Sequence, residues 1–201
     1  MKFIIKSGLI ILFLFNGMLL YSQSAKKNES KPVTSENDKK TTNDKIHWIS
    51  FDEAIKLNSG YPKKKILIDV YTDWCGWCKK MDAVTFSNPV IASYINEHYW
   101  AVKLNAEGYD TIIYNGVTYT NTKPAPAKGV HQLATLLLSG QMTYPSYVFL
   151  NEEDQKLTVV IGYIKPSEFE PIIHFFGDNA HFKMNWETFS KNFIGKIPPE
   201  K

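Results

Sequence analysis

The chain predicts an α/β domain, a central mixed β-sheet with helices on its faces, and three observations carry that expectation. Apolar β-branched runs such as "KILIDVYT" (65–72) and "WAVKLN" (100–105) have the length and composition of buried strands. Each is separated from the next by a segment with helix-start signals, so the first half reads β-α-β-α-β, the order that builds a parallel sheet. Near the end the order changes: "SYVFLN" and "KLTVVIGY" are separated only by the acidic turn "EEDQ", which predicts an antiparallel pair.

Element by element, Ile46–Ile49 is a short strand candidate. Ser50 and Glu53 have the spacing of a capping box and open a helix to about Leu57, stopped by Asn58-Ser59-Gly60 and Pro62. After the 65–72 strand, "CKKMDAVTF" reads as helix. Asn88-Pro89 punctuates it, and Pro89 takes the favoured first position of the next helix, "PVIASYINEHY". Beyond 100–105, "TIIYNGVTYT" (111–120) is two β-rich runs joined by Asn115-Gly116, a strong hairpin signal. A loop with Pro124 and Pro126 leads to a helix candidate, "GVHQLATLLLSG". Pro166 starts another, "PSEFEPIIHFFG", with Pro171 in or just after its first turn, and the aromatic segment "FKMNWETFSKNFIG" is expected to form a short core-covering helix. No internal repeat is present.

Composition narrows the function. The chain has 201 residues, 44% of them hydrophobic, ample for one packed core. All 23 basic residues are lysine and the net charge is +3. Arginine is the usual reader of phosphate and guanine, so its absence argues against nucleic-acid recognition. The N-terminus has Lys2 and Lys6, an apolar run from about Gly8 to Leu20, and small residues Ser22 and Ser24, the layout of a secretory signal peptide over 1–24. That predicts an exported, periplasmic protein; the run is short for a membrane span, with an uncleaved anchor as the alternative. No cysteine follows the run, which excludes lipid attachment at a mature N-terminal cysteine. Residues 25–45 are too polar to offset their ordering entropy and are expected to form a flexible linker. A globular domain is expected over 46–178 and a C-terminal extension over 179–201.

The chemistry concentrates in "DWCGWCKKMD" (73–82), which holds both cysteines of the chain. A strand ending near Thr72 and a helix starting near Cys75 place both sulfurs at a helix N-terminus. Unpaired N–H groups and the positive end of the helix dipole there favour thiolate, the form that attacks a disulfide. Cys78 lies one turn on, within reach of Cys75. Gly76 is read as permitting the close approach and Trp77 as an apolar wall; Lys79 adds positive charge or is simply solvated. A structural staple is a weak reading, because closing so short a loop removes little unfolded-state entropy. So is a zinc site: the pair supplies two of four ligands, no second pair exists, and the five histidines are dispersed. No metal is expected. Strand, Cys-x-x-Cys, then helix in an exported chain points to redox chemistry.

With these features in place, the sequence resembles the thioredoxin superfamily, and more narrowly the exported thioredoxin-like proteins related to the C-terminal domain of DsbD, the thiol:disulfide interchange protein. The resemblance covers about residues 46–177. It rests on Trp-Cys-x-x-Cys-Lys at 74–79, Asp69 in "ILID", "TFSNPVIASYI", "VKLN" at 102–105, Tyr144-Pro145 before a strand, and Gly162 after the last one. It implies a thioredoxin fold with an inserted hairpin and helix at about 107–142, before the cis-proline strand. It further implies that Cys75 attacks the substrate, Cys78 resolves the mixed disulfide, and Asp69 moves the proton that Cys78 must lose. A carboxyl between Ile68 and Val70 in a core strand is desolvated, which raises its pKa; Lys103 is its expected partner. Pro145 is the expected cis-proline, Tyr144 lines the substrate groove, and Trp74 walls the site. Gly76 and Trp77 complete the substrate-binding set.

The resemblance therefore implies a monomeric thiol-disulfide oxidoreductase, reducing or isomerising protein disulfides. Its redox centre would be the Cys75–Cys78 disulfide, with no other cofactor, and its electrons would come from a membrane donor protein. The alternatives are a dithiol oxidase, a non-catalytic redox-sensitive binding module, or a zinc module. Two departures matter. Family members often carry proline where this chain has Trp77, which leaves the reduction potential open, and the 107–142 insertion is either a specificity loop or an added packing layer.

Overall fold

The computed structural model describes residues 45–199 apart from 124, 125 and 128. The expected signal peptide, and the expected linker up to residue 44, lie outside the described residues. In chain order the elements are β1 (Trp48–Ile49), α1 (Phe51–Asn58), β2 (Lys65–Tyr71), α2 (Gly76–Val84), α3 (Pro89–His98), β3 (Tyr99–Asn105), β4 (Ile112–Tyr114), β5 (Val117–Tyr119), α4 (Gln132–Leu137), β6 (Ser146–Leu150), β7 (Lys156–Ile161) and α5 (Pro166–Gly177). A 3₁₀ turn at Ala180–Phe182 and α6 (Trp186–Asn192) follow.

Five strands form one mixed sheet in the order β1-β3-β2-β6-β7. β1, β3 and β2 run parallel, while β6 and β7 run antiparallel to their neighbours. This is the expected architecture. β2 lies in the centre and six of its seven residues are buried, which explains why its sequence is almost continuously apolar rather than alternating. Its side chains divide between two cores. Ile66, Ile68 and Val70 join Val102, Leu104, Val148 and Leu150 in the core with Phe51, Ala54, Leu133 and Leu137 of α1 and α4. Leu67 joins Tyr99, Ala101, Tyr147 and Phe149 in the core with Met81, Ile91, Ile95, Phe169 and Ile173 of α2, α3 and α5.

Local chemistry sets the element ends. Ser50 Oγ accepts the Glu53 N–H at 3.2 Å and starts α1; Asn88 caps α3 through Val90 N–H at 2.9 Å, with Pro89 at the first helical position. The 107–142 segment packs on the α1 side of the sheet and also reaches Trp74 through Glu107. Its hairpin turns on Asn115 and Gly116, both with positive φ, and forms a separate two-stranded sheet. Tyr114 meets Phe51 edge-on at 5.2 Å, and α4 supplies Leu133, Ala134 and Leu137 to the core. α4 is shorter than the Gly129–Gly140 segment because His131 is its N-cap, accepting Leu133 N–H at 3.1 Å.

Pro171 is the sixth residue of α5, just after its first turn, so the Ser167 carbonyl loses its usual intrahelical donor. The C-terminal segment forms a short helix, α6, which lies on the buried Phe175 while none of its own residues is buried. Its apolar stripe is only Trp186 and Phe189, and both spend it on Phe175 of α5, at 5.4 and 5.1 Å.

Candidate active site

β2 ends at Tyr71 and the chain turns directly into α2, with Cys75 N–H donating to Thr72 O at 3.1 Å. Cys75 is the N-cap of α2, and its sulfur accepts the Cys78 N–H at 3.0 Å. The first sulfur thus occupies the position that a serine or aspartate fills in other helices, facing donors the helix cannot satisfy itself. The two sulfurs are bonded, at 2.09 Å, with the Cα atoms 5.3 Å apart. Both cysteines are buried, and the helix start leaves only an edge of the pair at the surface.

Beneath α2 lies a charged group in an otherwise apolar layer. Asp69 is 1% exposed. Its register neighbour on β3 is Lys103, whose Nζ is 2.8 Å from Asp69 Oδ2 and 2.5 Å from Asp82 Oδ1 of α2. Burial is the dominant influence on Asp69 and pushes its carboxyl up to about 6; Lys103 pulls the other way and Asp82 adds to the rise. Burial works against the Lys103 ammonium, but the two carboxylates outweigh it and hold its pKa above the ordinary value. The rings of Trp48 and Tyr71, each 5.0 Å from Nζ, complete its enclosure. The arrangement is a buried acid poised near neutrality and held from the side by a cation.

Aromatic side chains rim the disulfide on two sides. Trp74 is 60% exposed, so it is a wall and not core; its Nε1–H donates to Glu107 Oε1 at 3.0 Å and its ring meets Tyr144 edge-on at 6.0 Å. Trp77, 57% exposed, lies against Tyr163 at 5.5 Å, with Lys80 Nζ 5.0 Å from one ring and 4.7 Å from the other. The Tyr144–Pro145 bond is cis, and Gly162 N–H donates to Pro145 O at 2.8 Å. Trp77, Tyr144, Pro145, Gly162 and Tyr163 line a shallow groove of about 330 Å³.

The structure sets the paired Asp69 and Lys103 under α2, whose N-terminus carries the bonded Cys75 and Cys78, with Trp74 against Tyr144 and with Trp77, Tyr144 and Pro145 lining one groove. Gly76, the first residue of α2, lies between the cysteines, and a methyl added there would meet nothing within 4 Å outside its chain neighbours and its own helix. Lys79 is exposed. Sequence reasoning missed Asp82, Glu107 and Tyr163. Asp82 had a usable signal, since it lies four residues after Cys78 and shares its helix face; Tyr163 follows the marked Gly162. Glu107 gave none, because its partner is 33 residues away. Among the described residues no cluster of three histidine, cysteine, aspartate or glutamate side chains could hold a metal. His131 is structural, with Nδ1 accepting Leu133 N–H and Nε2 2.9 Å from Asp110 O.

Residues 27–195 match the family model Thioredox_DsbH, described as "Protein of unknown function, DUF255". The chain belongs to this family, within the thioredoxin superfamily. Among solved structures, this Thioredox_DsbH member is similar to a thioredoxin-fold protein from Helicobacter pylori (16% identity, TM-score 0.48, covering 64% of this chain and 79% of that one). It is also similar to a DsbH oxidoreductase (17%, TM-score 0.45, 81% and 96%). A third is the oxidised C-terminal domain of DsbD from Neisseria meningitidis (18%, TM-score 0.39, 66% and 98%). No curated protein matches the chain. Among the described residues no helix is long and apolar enough to cross a membrane.

Proposed function

We propose that this Thioredox_DsbH member is an exported thiol-disulfide oxidoreductase that reduces or isomerises disulfides in other proteins. The observation that carries the reading is the disulfide at the N-terminus of α2, on the sheet face that holds the desolvated Asp69 carboxyl. In the reduced protein, Cys75 thiolate attacks one sulfur of a substrate disulfide. That S–S bond breaks, the other substrate sulfur leaves as thiolate, and a Cys75–substrate disulfide forms. Cys78 then gives its proton to the Asp69 carboxylate and attacks the Cys75 sulfur. The second substrate sulfur leaves, two electrons have passed to the substrate, and Cys75–Cys78 is a disulfide again.

Lys103 keeps Asp69 ionisable in a layer that would otherwise hold it protonated. The groove of Trp77, Tyr144, Pro145, Gly162 and Tyr163 seats the polypeptide around the target sulfur, and the bare Gly76 surface leaves room above it. No cofactor other than the disulfide is needed; a membrane donor protein would restore the dithiol. The 1–24 signal-peptide pattern supports export to the periplasm.

Replacing Cys78 with serine should trap Cys75–substrate mixed disulfides, identifiable by mass spectrometry, and Cys75→Ser should remove disulfide-reducing activity. A Cys75→Ser protein with full activity contradicts the assignment, and a Cys78→Ser protein that traps nothing supports a binding module instead. The reduction potential sets the direction: a value near about −270 mV marks a reductant, one near about −120 mV an oxidant.

A further inference from the structure

Two tyrosines are fully buried in the large side-chain core of the described residues, and they differ in one respect. Tyr99 donates its hydroxyl to Ile173 O at 2.6 Å. Tyr147 OH is buried and has no hydrogen-bond partner. Its ring is held edge-on by Phe86 at 5.8 Å and Phe169 at 5.3 Å, a setting that phenylalanine would fill equally well. Two residues along on the same face of β6, Phe149 does just that. Leaving a buried hydroxyl unsatisfied costs about 1–3 kcal/mol, so the oxygen at 147 calls for a reason other than packing.

The register supplies one. Lys103, Asp69 and Tyr147 are direct neighbours across β3, β2 and β6, so they form one lateral row on the face covered by α2. Lys103 takes Asp69 Oδ2. Asp69 Oδ1 is itself buried without a partner. A donor with no acceptor and an acceptor with no donor thus share one strand pair on the face covered by α2.

We propose that Tyr147 is a positioning residue for the buried acid: its hydroxyl donates, directly or through one water, to Oδ1 of the ionised Asp69 carboxylate. With Lys103 on one oxygen and Tyr147 on the other, the carboxylate is fixed from both sides and ready to receive a proton from above. The other titratable groups that act on this pair are Asp82 from α2, Tyr71 on the same strand, and Tyr163 after β7. Phe86 and Phe169 close it with hydrocarbon. The consequence for catalysis rests on the oxidoreductase reading; the hydrogen bond itself does not.

The test is the titration of the Asp69 carboxyl by ¹³C NMR, assigned with Asp69→Asn, in the full protein and in Tyr147→Phe. Removing the donor withdraws support from the charged form, so the Asp69 pKa should rise by about one unit, a tenfold higher proton affinity. Site-specific 3-fluorotyrosine at 147, a stronger donor of nearly the same size, should move it the opposite way and keeps the test available should the phenylalanine protein not fold. A purely structural Tyr147 would change the melting temperature and leave the titration in place; an unmoved Asp69 in both variants overturns the proposal. If the titration moves while Asp69→Asn keeps full activity, the hydrogen bond stands and the functional reading fails.

Discussion

The two faces of the central sheet meet the same demand differently. Toward α1 and α4, β2 presents Ile66, Ile68 and Val70, and their neighbours on β3 and β6 are Val102, Leu104, Val148 and Leu150: hydrocarbon throughout. Toward α2, the same strand presents Leu67 and then Asp69, flanked by Lys103 and Tyr147. One residue of register separates a face that only packs from a face that packs and titrates. Burial there is not relaxed for the charge, since Asp69 is as enclosed as the isoleucine beside it. The desolvation that would count against a structural carboxylate is what brings this one to about 6, the range in which a proton can be exchanged at neutral pH.

Exchanging the character of the faces should break the molecule in opposite ways. Ile68→Asp puts a carboxyl where no cation waits and should cost more than about 4 kcal/mol in a denaturant melt. Asp69→Asn, one residue on, should leave the fold intact at neutral pH and slow resolution of the mixed disulfide on the order of 10²-fold. It should also change the pH dependence of stability. The folded-state pKa of Asp69 is raised from 3.8 to about 6, so the folded protein holds this proton more tightly than the unfolded chain. The stability it contributes is complete below about 3.8 and is lost as pH rises through about 6. Wild-type stability relative to Asp69→Asn should therefore fall across that window.

Smaller changes sharpen the contrast. Lys103→Gln removes the influence that lowers the Asp69 pKa, so the inflection in the pH–rate profile should move above about 6 while Asp82 loses its partner at little cost to the fold. On the other face, Ser50→Ala removes the α1 cap and should cost about 1 kcal/mol with no change in rate.

The strands and most helix starts were legible because local chemistry decides them: the β-branched run of β2, Ser50 before α1, Asn88-Pro89 before α3, Asn115-Gly116 in the hairpin. The disulfide and Asp69 were legible for the same reason, a fixed spacing along one strand and one turn. What could not be read depends on contacts between distant segments. Even for Asp82, signalled by its place one turn after Cys78, the tie to Asp69 runs through Lys103, 21 residues on. Glu107 matters through Trp74 across the mouth of the site, and Tyr147 through its register with Asp69.

The most direct test of the account is a rapid-reaction measurement of the reduced protein against a protein disulfide between pH 5 and 8, in wild type and in Asp69→Asn. The account predicts that the wild-type rate of resolution rises through an inflection near 6, and that the variant is slower and lacks it. Superimposable profiles would contradict it.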